Sequence, residues 1–398
     1  MNFDINKIPH INEIANNGSF NGARSKNTET FQQRCGDCNK IVPSLEEAIK
    51  KSGLRDGMTI SFHHHFRNGD HIINNVLDKL AEMGFKNLTL AASSLSAVHA
   101  PLIEHIRSGL ITHIETSGLR GELAEQISRG LMDFPVVFRS HGGRASAIRS
   151  GELHIDVAFL GAPSCDPYGN ANGYSRDDDD GISCGSLGYA RTDAEFADKV
   201  IIITNNIVSY PNAPWAIPEH DVDYVVRVDD IGDPKGIMSG ATRYTKDPKE
   251  LLIAKTAANV VEAAGYLYDG FSMQMGSGGA SLATARFIRQ KMLDKGIRCR
   301  FALGGITGQI TAMHEEGLID RILDVQSFDL DAAKSLKNNH FHHQISATYY
   351  ASHLVATAAE QLDFVILSAL EIDTDFNVNV LTGSDGVIRG AIGGHPDT

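Results

Sequence analysis

The sequence predicts an α/β protein made of two homologous tandem α/β domains with mainly parallel sheets. Short apolar runs alternate with amphipathic stretches from Ser44 onward, which is typical of parallel strands covered by helices. Three sequence blocks of the first half recur in the same order in the second half. The 398 residues are enough for two or three domains of about 150 residues each.

The composition argues against several classes of protein. No apolar stretch reaches the ~18 residues that a membrane helix needs, and the first residues lack the basic and apolar regions of a secretory signal. The net charge of −13 disfavours general nucleic-acid binding. The five cysteines are scattered, so we expect no disulfide framework and a cytoplasmic location.

The first half begins with a polar stretch, residues 1–44, which we interpret as an N-terminal arm. Ser44 is predicted to cap a helix that starts at Leu45, because a serine hydroxyl can accept from the amides of the first turn. We assign the first domain to residues 45–235. Its predicted strands are 58–62, 88–91, 135–138, 157–160 and 200–203, with a helix at 72–83.

The internal repeat defines the second domain, residues 236–398. The aligned blocks begin at Asp56 and Asp269, at Gly109 and Gly317, and at Asp156 and Asp363; the last pair extends to Asp166, Asn170 and Asn172, which align with Asp373, Asn377 and Asn379. Proline and glycine near residues 232–236 mark the boundary between the domains. Only the first half continues far beyond its repeated blocks, so we expect the second domain to lack its C-terminal part.

Three glycine-rich segments are candidates for binding an anion or a developing oxyanion. Gly276, Ser277, Gly278 and Gly279 lie between a predicted strand and helix, where free amides and the helix dipole favour negative charge. Gly304 and Gly305 follow another strand and are candidate oxyanion donors, and Gly393 and Gly394 lie near the end of the chain. The loops after neighbouring parallel strands converge on one crevice. The alternative is a set of close-packed turns.

The helix after the first glycine segment is basic within an acidic chain. Arg286, Arg289 and Lys291 lie on it, followed by further Lys and Arg residues. We expect Arg289 to contact phosphates or an acidic partner. A solvated helix face is the alternative.

A histidine-rich segment is a candidate substrate site. His63, His64, His65, Arg67 and Asn68 end the first long strand, and imidazoles beside a guanidinium suit a polycarboxylate. Consecutive histidines on a strand point to opposite faces, which disfavours a metal. Arg144, after two glycines, is a further candidate carboxylate clamp, with an ordinary surface charge as the alternative.

Two motifs are weaker. Cys35 and Cys38 have the spacing of a metal or redox pair, but no second cysteine pair completes a zinc site. Asp177 to Asp180 could bind a hard cation, although an acidic run is usually solvated.

The duplicated halves, the Asp-x-x-Gly-Asn turn and the glycine segments resemble the coenzyme A transferase superfamily. Within it, segments 63–70, 161–173, 238–242 and 276–281 closely resemble the citrate lyase alpha chains. The resemblance covers nearly all of the chain from about residue 20. It implies a coenzyme A transferase-like fold and an enzyme of citrate and acetyl-CoA metabolism.

The resemblance implies exchange of acetyl for citryl on an acyl carrier protein: acetyl-carrier and citrate give citryl-carrier and acetate. The implied partners are a lyase beta subunit and an acyl carrier gamma subunit in an oligomer, without nucleic acid or membrane. No tightly bound cofactor and no metal are implied. The enzyme would act on the coenzyme-A-like phosphopantetheine arm of the carrier, with acetyl-CoA or CoA as possible ligands.

One departure bears on the mechanism. Many transferases of this superfamily have a nucleophilic glutamate where this chain has Gly304 and Gly305. The absence of a carboxylate there favours direct attack of citrate on the acetyl thioester. An acyl-CoA hydrolase or another CoA transferase on this fold is the alternative enzyme, with Glu371 as the candidate base or nucleophile. A non-enzymatic effector-binding regulator is the third hypothesis, although residues 1–44 show no basic helix-turn-helix.

Overall fold

The computed structural model describes residues 39–175, 182–238 and 245–398. Cys35, Cys38 and Asp177 to Asp180 lie outside these residues, as does most of the predicted N-terminal arm. The helices are α1 (Leu45–Ser52), α2 (Ile72–Glu82), α3 (Leu102–Arg107), α4 (Gly121–Ser128), α5 (His141–Ser150), α6 (Gly188–Phe196), α7 (Pro248–Ala263), α8 (Gly279–Lys295), α9 (Gly308–Glu315), α10 (Leu330–Asn338) and α11 (Ala347–Ala351). Among these helices, none combines the length and apolar character that crossing a bilayer requires.

The strands form two larger sheets and two short hairpins. They are β1 (Ile41–Val42), β2 (Thr59–Phe62), β3 (Leu88–Ala92), β4 (Ile111–Thr116), β5 (Val137–Phe138), β6 (Val157–Gly161), β7 (Ser164–Cys165), β8 (Ala171–Asn172), β9 (Lys199–Thr204), β10 (Tyr224–Arg227), β11 (Phe271–Met275), β12 (Cys299–Ile306), β13 (Ile322–Ser327), β14 (His342–Gln344), β15 (Phe364–Ile366), β16 (Glu371–Ile372) and β17 (Val378–Asn379).

Both larger sheets are parallel, as the α/β pattern predicted. The first has the order β1-β10-β9-β6-β2-β3-β4-β5, and the second has the order β14-β13-β12-β11-β15. Residues 41–42, which we expected in an irregular arm, instead form an edge strand beside β10. The exact domain boundaries at residues 44/45 and 235/236 stay predictions.

The strand order confirms the internal repeat. Read from β6, the first sheet runs β6-β2-β3-β4-β5, and the second runs β15-β11-β12-β13-β14 in the matching sequence of elements. Each half then adds an antiparallel hairpin, β7–β8 in the first and β16–β17 in the second. The repeated blocks therefore correspond to repeated structure.

The two hairpins turn around equivalent aspartates. The Asp166 carboxylate accepts from the backbone amides of Tyr168, Gly169 and Asn170 at 3.0–3.1 Å and from the Asn170 side chain at 2.9 Å. Asp373 likewise accepts from the Asn377 amide and side chain, at 2.9 and 2.8 Å. Asp166 is fully buried, whereas Asp373 is exposed.

The two halves pack closely against each other. One core cluster contains Ala145 and Tyr189 of the first half together with Phe301, Val325 and Tyr350 of the second. Glycines permit this approach: a Cβ at Gly188 would lie 2.3 Å from the Ile345 carbonyl oxygen, and one at Gly142 would lie 1.9 Å from that of Ala351.

The last described segment, residues 388–398, lies against the first half. The amide of Leu119 donates to Gly390, that of His141 donates to Gly393, and that of Ile392 donates to Ser117. The Asp397 carboxylate accepts from the Ser140 hydroxyl at 2.5 Å and from the Gly142 amide at 2.9 Å, at the start of α5. This segment therefore ties the two halves together near their junction.

The repeated aspartates allow a matched test of stability. Asp166→Ala leaves several buried amides without an acceptor, and we expect it to lower the free energy of unfolding by about 3 kcal/mol or more. Asp373→Ala removes the same turn contacts at an exposed position, so we expect a much smaller loss. Equilibrium urea unfolding of both variants measures the difference. Equal losses would contradict the unequal burial of the two turns.

Candidate active site

A cavity of about 290 Å³ lies where the two halves meet. Its lining includes side chains of both halves and of the tail segment. The polar and glycine residues that line it are His64, Arg67, Ser94, Ser96, Arg120, His141, Tyr189, Gln274, Gly276, Ser277, Gly278, Gly305, Gln326, Tyr350, Ser368, Arg389, Gly390, Gly393, Gly394 and His395. The predicted crevice between glycine segments therefore corresponds to a real cavity.

The histidine segment places only one imidazole in this cavity. His64 lines it, and its Nδ1 lies 2.5 Å from the Ser93 hydroxyl. His63 and His65 are buried behind it, with His63 Nε2 bonded to the Gly161 carbonyl at 2.9 Å. Gln326 of the second half donates to the His64 carbonyl at 3.0 Å and so fixes the segment across the junction.

Arg67 and Arg120 give the cavity its positive charge. Arg67 adopts a φ of 53° at a short 3₁₀ turn, and its guanidinium lies 4.8 Å from the Phe328 ring centroid. Burial and the neighbouring Arg120 lower the pKa of Arg67 to about 10, so it stays protonated at neutral pH. Burial lowers the pKa of Arg120 too, and no described carboxylate opposes that shift.

No carboxylate lines the cavity among the described residues. Arg389 also lines it and pairs with Asp385. Arg67 and Arg120 are half-buried and both line the cavity, where their positive charges favour an anionic ligand. Guanidiniums bind carboxylates in bidentate fashion, so the cavity suits a ligand with more than one carboxylate.

The rings of His64, His141 and Tyr189 in the cavity are neutral at neutral pH. Burial lowers the pKa of His141 to about 4 and that of His64 well below its usual range. The Tyr189 ring lies between them, 4.9 and 5.0 Å from the two imidazole centroids, and burial raises its pKa. These groups therefore act as hydrogen-bonding groups at neutral pH and not as charges.

The glycine turn after β11 lies in the cavity as predicted. Gly276, Ser277 and Gly278 line it, and Gly278 is the N-cap of α8 without a side-chain cap of its own. Gly279 does not line the cavity. It lies against Glu250 instead, and a Cβ added at Gly279 would be 2.6 Å from the Oε2 atom of Glu250. The first amides of α8 are therefore available next to the cavity.

The pair Gly304 and Gly305 differs from the expected loop. Both residues belong to β12, which continues to Ile306 through a register shift between them. Gly304, with a φ of 95°, lies against the Gln274 side chain and does not line the cavity. Gly305 does line it but faces the Phe328 ring, and Gly393 and Gly394 line it from the tail.

Besides His63, His65, Gly279 and Gly304, four further predicted site residues lie outside the cavity. Arg144 is buried and forms two bonds to Asp193, at 2.6 and 2.9 Å. Asn68 is exposed and accepts from the Val98 amide at 3.1 Å. Their contacts give both residues roles within the fold and not at the cavity.

The other two of the four are Arg289 and Glu371. The guanidinium of Arg289 binds Glu316 at 2.6 and 2.8 Å. Glu371 is exposed, accepts from Ser384 and from Asn379, and these bonds lower its pKa. It therefore anchors the β16–β17 hairpin, away from the crevice in which we expected it.

The basic helix, α8, is balanced by acids of neighbouring elements. Lys291 and Lys295 both pair with Glu262 of α7, at 2.5 and 3.2 Å. With Arg289 on Glu316, these ion pairs account for much of the local excess of positive charge. The alternative of a solvated, ion-paired face is therefore favoured over a phosphate site on this helix.

Several cavity residues escaped the sequence analysis. Arg120, His141, Tyr189, Gln274 and Tyr350 lie in ordinary stretches of helix, strand or loop, far apart along the chain. The only local signal was His141, which precedes the Gly142-Gly-Arg144 motif. The others become recognisable only when the two halves are packed together.

Comparisons with known proteins agree on one family. The profile described as citrate lyase, alpha subunit (CitF), matches residues 38–398. The citrate lyase alpha chain of Haemophilus influenzae is 60% identical over 360 residues, which cover 90% of this chain and 71% of that one. The Escherichia coli chain is 57% identical over 371 residues, covering 93% and 72%.

Solved structures give the same result. The putative alpha subunit of citrate lyase from Streptococcus mutans, crystallised in complex with citrate, superposes with a TM-score of 0.88 at 52% identity and covers 98% of this chain and 77% of that one. The alpha subunit of a malonate decarboxylase from Acinetobacter baumannii has a TM-score of 0.64 at 16% identity, covering 93% and 67%. The second likeness shows a shared fold alone.

The buried histidines predict a pH-dependent stability. His63 has a pKa of about 4 because burial disfavours its charged form, whereas an unfolded histidine binds a proton below about pH 6.5. Stability is therefore highest above pH 6.5 and falls towards pH 4, by about 1.4 kcal/mol per pH unit for each such group. His63→Gln keeps a donor for Gly161 and removes the titration. In this variant, we expect the slope of the unfolding free energy against pH to decrease by about 1.4 kcal/mol per pH unit, which corresponds to the uptake of one proton fewer on unfolding.

Urea unfolding at a series of pH values between about 6.5 and 4.5 measures this slope. His340→Gln, at an exposed position, is the matched control for the effect of the substitution itself. The same slope in the parent and in His63→Gln would contradict the prediction.

Proposed function

The chain belongs to the citrate lyase alpha subunit family, and from this premise we propose how its cavity carries out the exchange of acetyl for citryl on an acyl carrier protein. It is an enzyme subunit with citrate:acetyl-carrier transferase activity, which is the first step of citrate cleavage to oxaloacetate and acetate. The hydrolase and regulator alternatives are not favoured.

The observation that carries the site proposal is the acid-free cationic cavity at the junction of the halves. Arg67 and Arg120 face one space that contains no described carboxylate. Citrate brings three carboxylates, which neutralise this charge through bidentate pairs. The related chain from Streptococcus mutans was crystallised with citrate. We propose that citrate binds between Arg67, Arg120 and His64.

The substrate thioester of the carrier enters beside the glycine turn. Gly276, Ser277 and Gly278 line the cavity, and Gly393 and Gly394 line it from the tail. Glycines allow a thioester to approach the backbone closely, because no Cβ intervenes. The free amides at the start of α8 favour negative charge there. The substrates, citrate and thioester, thus meet within one cavity.

Direct attack by citrate is the step that this cavity supports. A citrate carboxylate oxygen adds to the acetyl carbonyl carbon, and the thiolate leaves to give a mixed anhydride. The thiolate then adds to the citryl carbonyl and expels acetate. No enzyme carboxylate is needed, and Glu371, the candidate nucleophile, is exposed and bonded to Ser384 and Asn379.

The family places the subunit in the citrate lyase complex with other subunits, and it acts with the prosthetic group of the acyl carrier. We propose that its partners are a lyase beta subunit and an acyl carrier gamma subunit. Acetyl-CoA would serve as a smaller substitute for the acetyl carrier. A cytoplasmic location, expected from the cysteine pattern, is part of the proposal.

The citrate site predicts a change in KM. Arg67→Ala and Arg120→Ala each remove a guanidinium from the cavity, and we expect the KM for citrate to rise at least tenfold, which is about 1.4 kcal/mol of binding. Arg129→Ala is the matched control, since this side chain is exposed and pairs with Glu125. Steady-state release of acetate from the acetyl carrier measures the effect. An unchanged KM for citrate in both cavity variants would contradict the proposal that citrate binds at this site.

The direct mechanism predicts that no acyl-enzyme forms. After incubation with acetyl thioester alone, mass spectrometry of the intact subunit should show no added acetyl or coenzyme mass, because no cavity carboxylate can accept it. We expect Glu371→Gln to keep its activity within about twofold, since surface changes away from the reacting groups have small effects. An adduct on Glu371, together with loss of activity in this variant, would establish a covalent route instead.

A further inference from the structure

A buried amide and a buried phenol form a pair at the back of the cavity. Gln274 lies on β11 and Tyr350 on α11, and their side chains are 5% and 2% exposed respectively. The Gln274 Nε2 donates to the Tyr350 hydroxyl oxygen at 2.9 Å. Both residues line the cavity, and the pair joins two elements that are far apart along the chain.

The hydroxyl proton of Tyr350 has no acceptor within the described part of the chain. Its oxygen already accepts from Gln274, so the O–H group is left to donate to whatever occupies the cavity. A donor that itself accepts a hydrogen bond is strengthened by polarisation in a medium of low dielectric. The Tyr350 hydroxyl is therefore positioned to donate a hydrogen bond to a substrate in the cavity.

The surroundings keep this donor neutral and accessible. Burial raises the pKa of Tyr350, so the phenol keeps its proton at neutral pH. A Cβ at Gly394 would lie 2.9 Å from the Tyr350 oxygen, so the glycine leaves room beside the hydroxyl. The amides that the sequence favoured for this task are less suited, because Gly304 lies outside the cavity and Gly305 faces the Phe328 ring.

We propose that the Tyr350 hydroxyl is the hydrogen-bond donor to the oxyanion that forms when citrate attacks the acyl carbonyl. This inference deepens the proposed function and rests on it. As the new C–O bond forms, the carbonyl π electrons move onto oxygen, and Tyr350 donates to that oxygen without losing its proton. The carbonyl then re-forms, the C–S bond breaks and the thiolate leaves with the bonding electrons.

Gln274 acts through Tyr350 as a positioning residue. Its Nε2 fixes the direction of the phenol and leaves the hydroxyl proton for the substrate. Removing Gln274 should therefore weaken the donor without removing it. In a chain that already lacks the Tyr350 hydroxyl, the loss of Gln274 should have little further effect.

The first experiment is Tyr350→Phe in the complex with its carrier subunit. One oxyanion donor is typically worth ~10²–10³ in kcat, so we expect kcat to fall about 100-fold. The KM for citrate should change less than about threefold, because the bond is made in the transition state and not with bound citrate. The neighbouring Tyr349→Phe is the matched control, since Tyr349 is 44% exposed and does not line the cavity, and it should keep the parental kcat.

The second experiment separates the roles of the pair. We expect Gln274→Met to lower kcat about tenfold in the parent and less than twofold in Tyr350→Phe. Additive losses would show that Gln274 does not act through Tyr350. Tyr189→Phe is a further comparison, because Tyr189 also lines the cavity but accepts no hydrogen bond from a side-chain amide of the described residues. A larger kcat loss in Tyr189→Phe than in Tyr350→Phe would overturn the proposal.

The outcomes distinguish this inference from the proposed function. A parent complex that releases no acetate from the acetyl carrier on adding citrate would refute the function itself. An active parent with a Tyr350→Phe variant that keeps more than a third of kcat, or that changes only the KM for citrate, would refute the role of Tyr350 alone. Circular dichroism and urea unfolding of the variant show that it is folded.

Discussion

The cavity depends on the close approach of the two halves, which glycine permits. Gly188 lies at the start of α6 and Gly142 in the first turn of α5, and a Cβ at either would overlap a carbonyl oxygen of the second half. The residue after Gly188 is Tyr189 and the one before Gly142 is His141. The same contacts that seal the junction therefore place these two rings in the cavity opposite Tyr350.

This packing also explains why charge is handled differently inside and outside the cavity. Away from it, buried or half-buried cations meet acids of their own chain, as Arg144 meets Asp193 and Lys291 meets Glu262. Inside it, Arg67 and Arg120 share the lining with glycines and with the neutral rings of His64, His141 and Tyr189. His64 and His141 are neutral because burial and the nearby guanidiniums both lower the pKa of these imidazoles. The charges of Arg67 and Arg120 therefore lie beside the space in which we propose that citrate binds.

Periodicity and repetition were sufficient to predict the fold. The blocks at Asp156 and Asp363 predicted matching strands and matching turns, and the structure has both. The glycine segment at 276–278 was also predictable, because a strand, a glycine turn and a helix are encoded locally. His64 and Arg67 follow a strand end in the same way.

The rest of the site is not local and could not be predicted in that way. Whether an arginine faces a ligand or an aspartate depends on tertiary neighbours, and Arg144 and Arg289 are bound by Asp193 and Glu316. The contact between Gln274 and Tyr350 cannot be predicted from the local sequence around either residue. The tail segment lines the cavity too, and it lies more than 200 positions along the chain from Ser117, Leu119 and His141, which it contacts in the first half. Contacts between residues so far apart in sequence require a long loop to close, which lowers the conformational entropy of the chain. We therefore expect the binding site to form late in folding, after each half has formed its own sheet. A newly made chain would thus have its two sheets before it has a competent site, and a chain cut short within the tail segment would keep both sheets but lose part of the cavity wall.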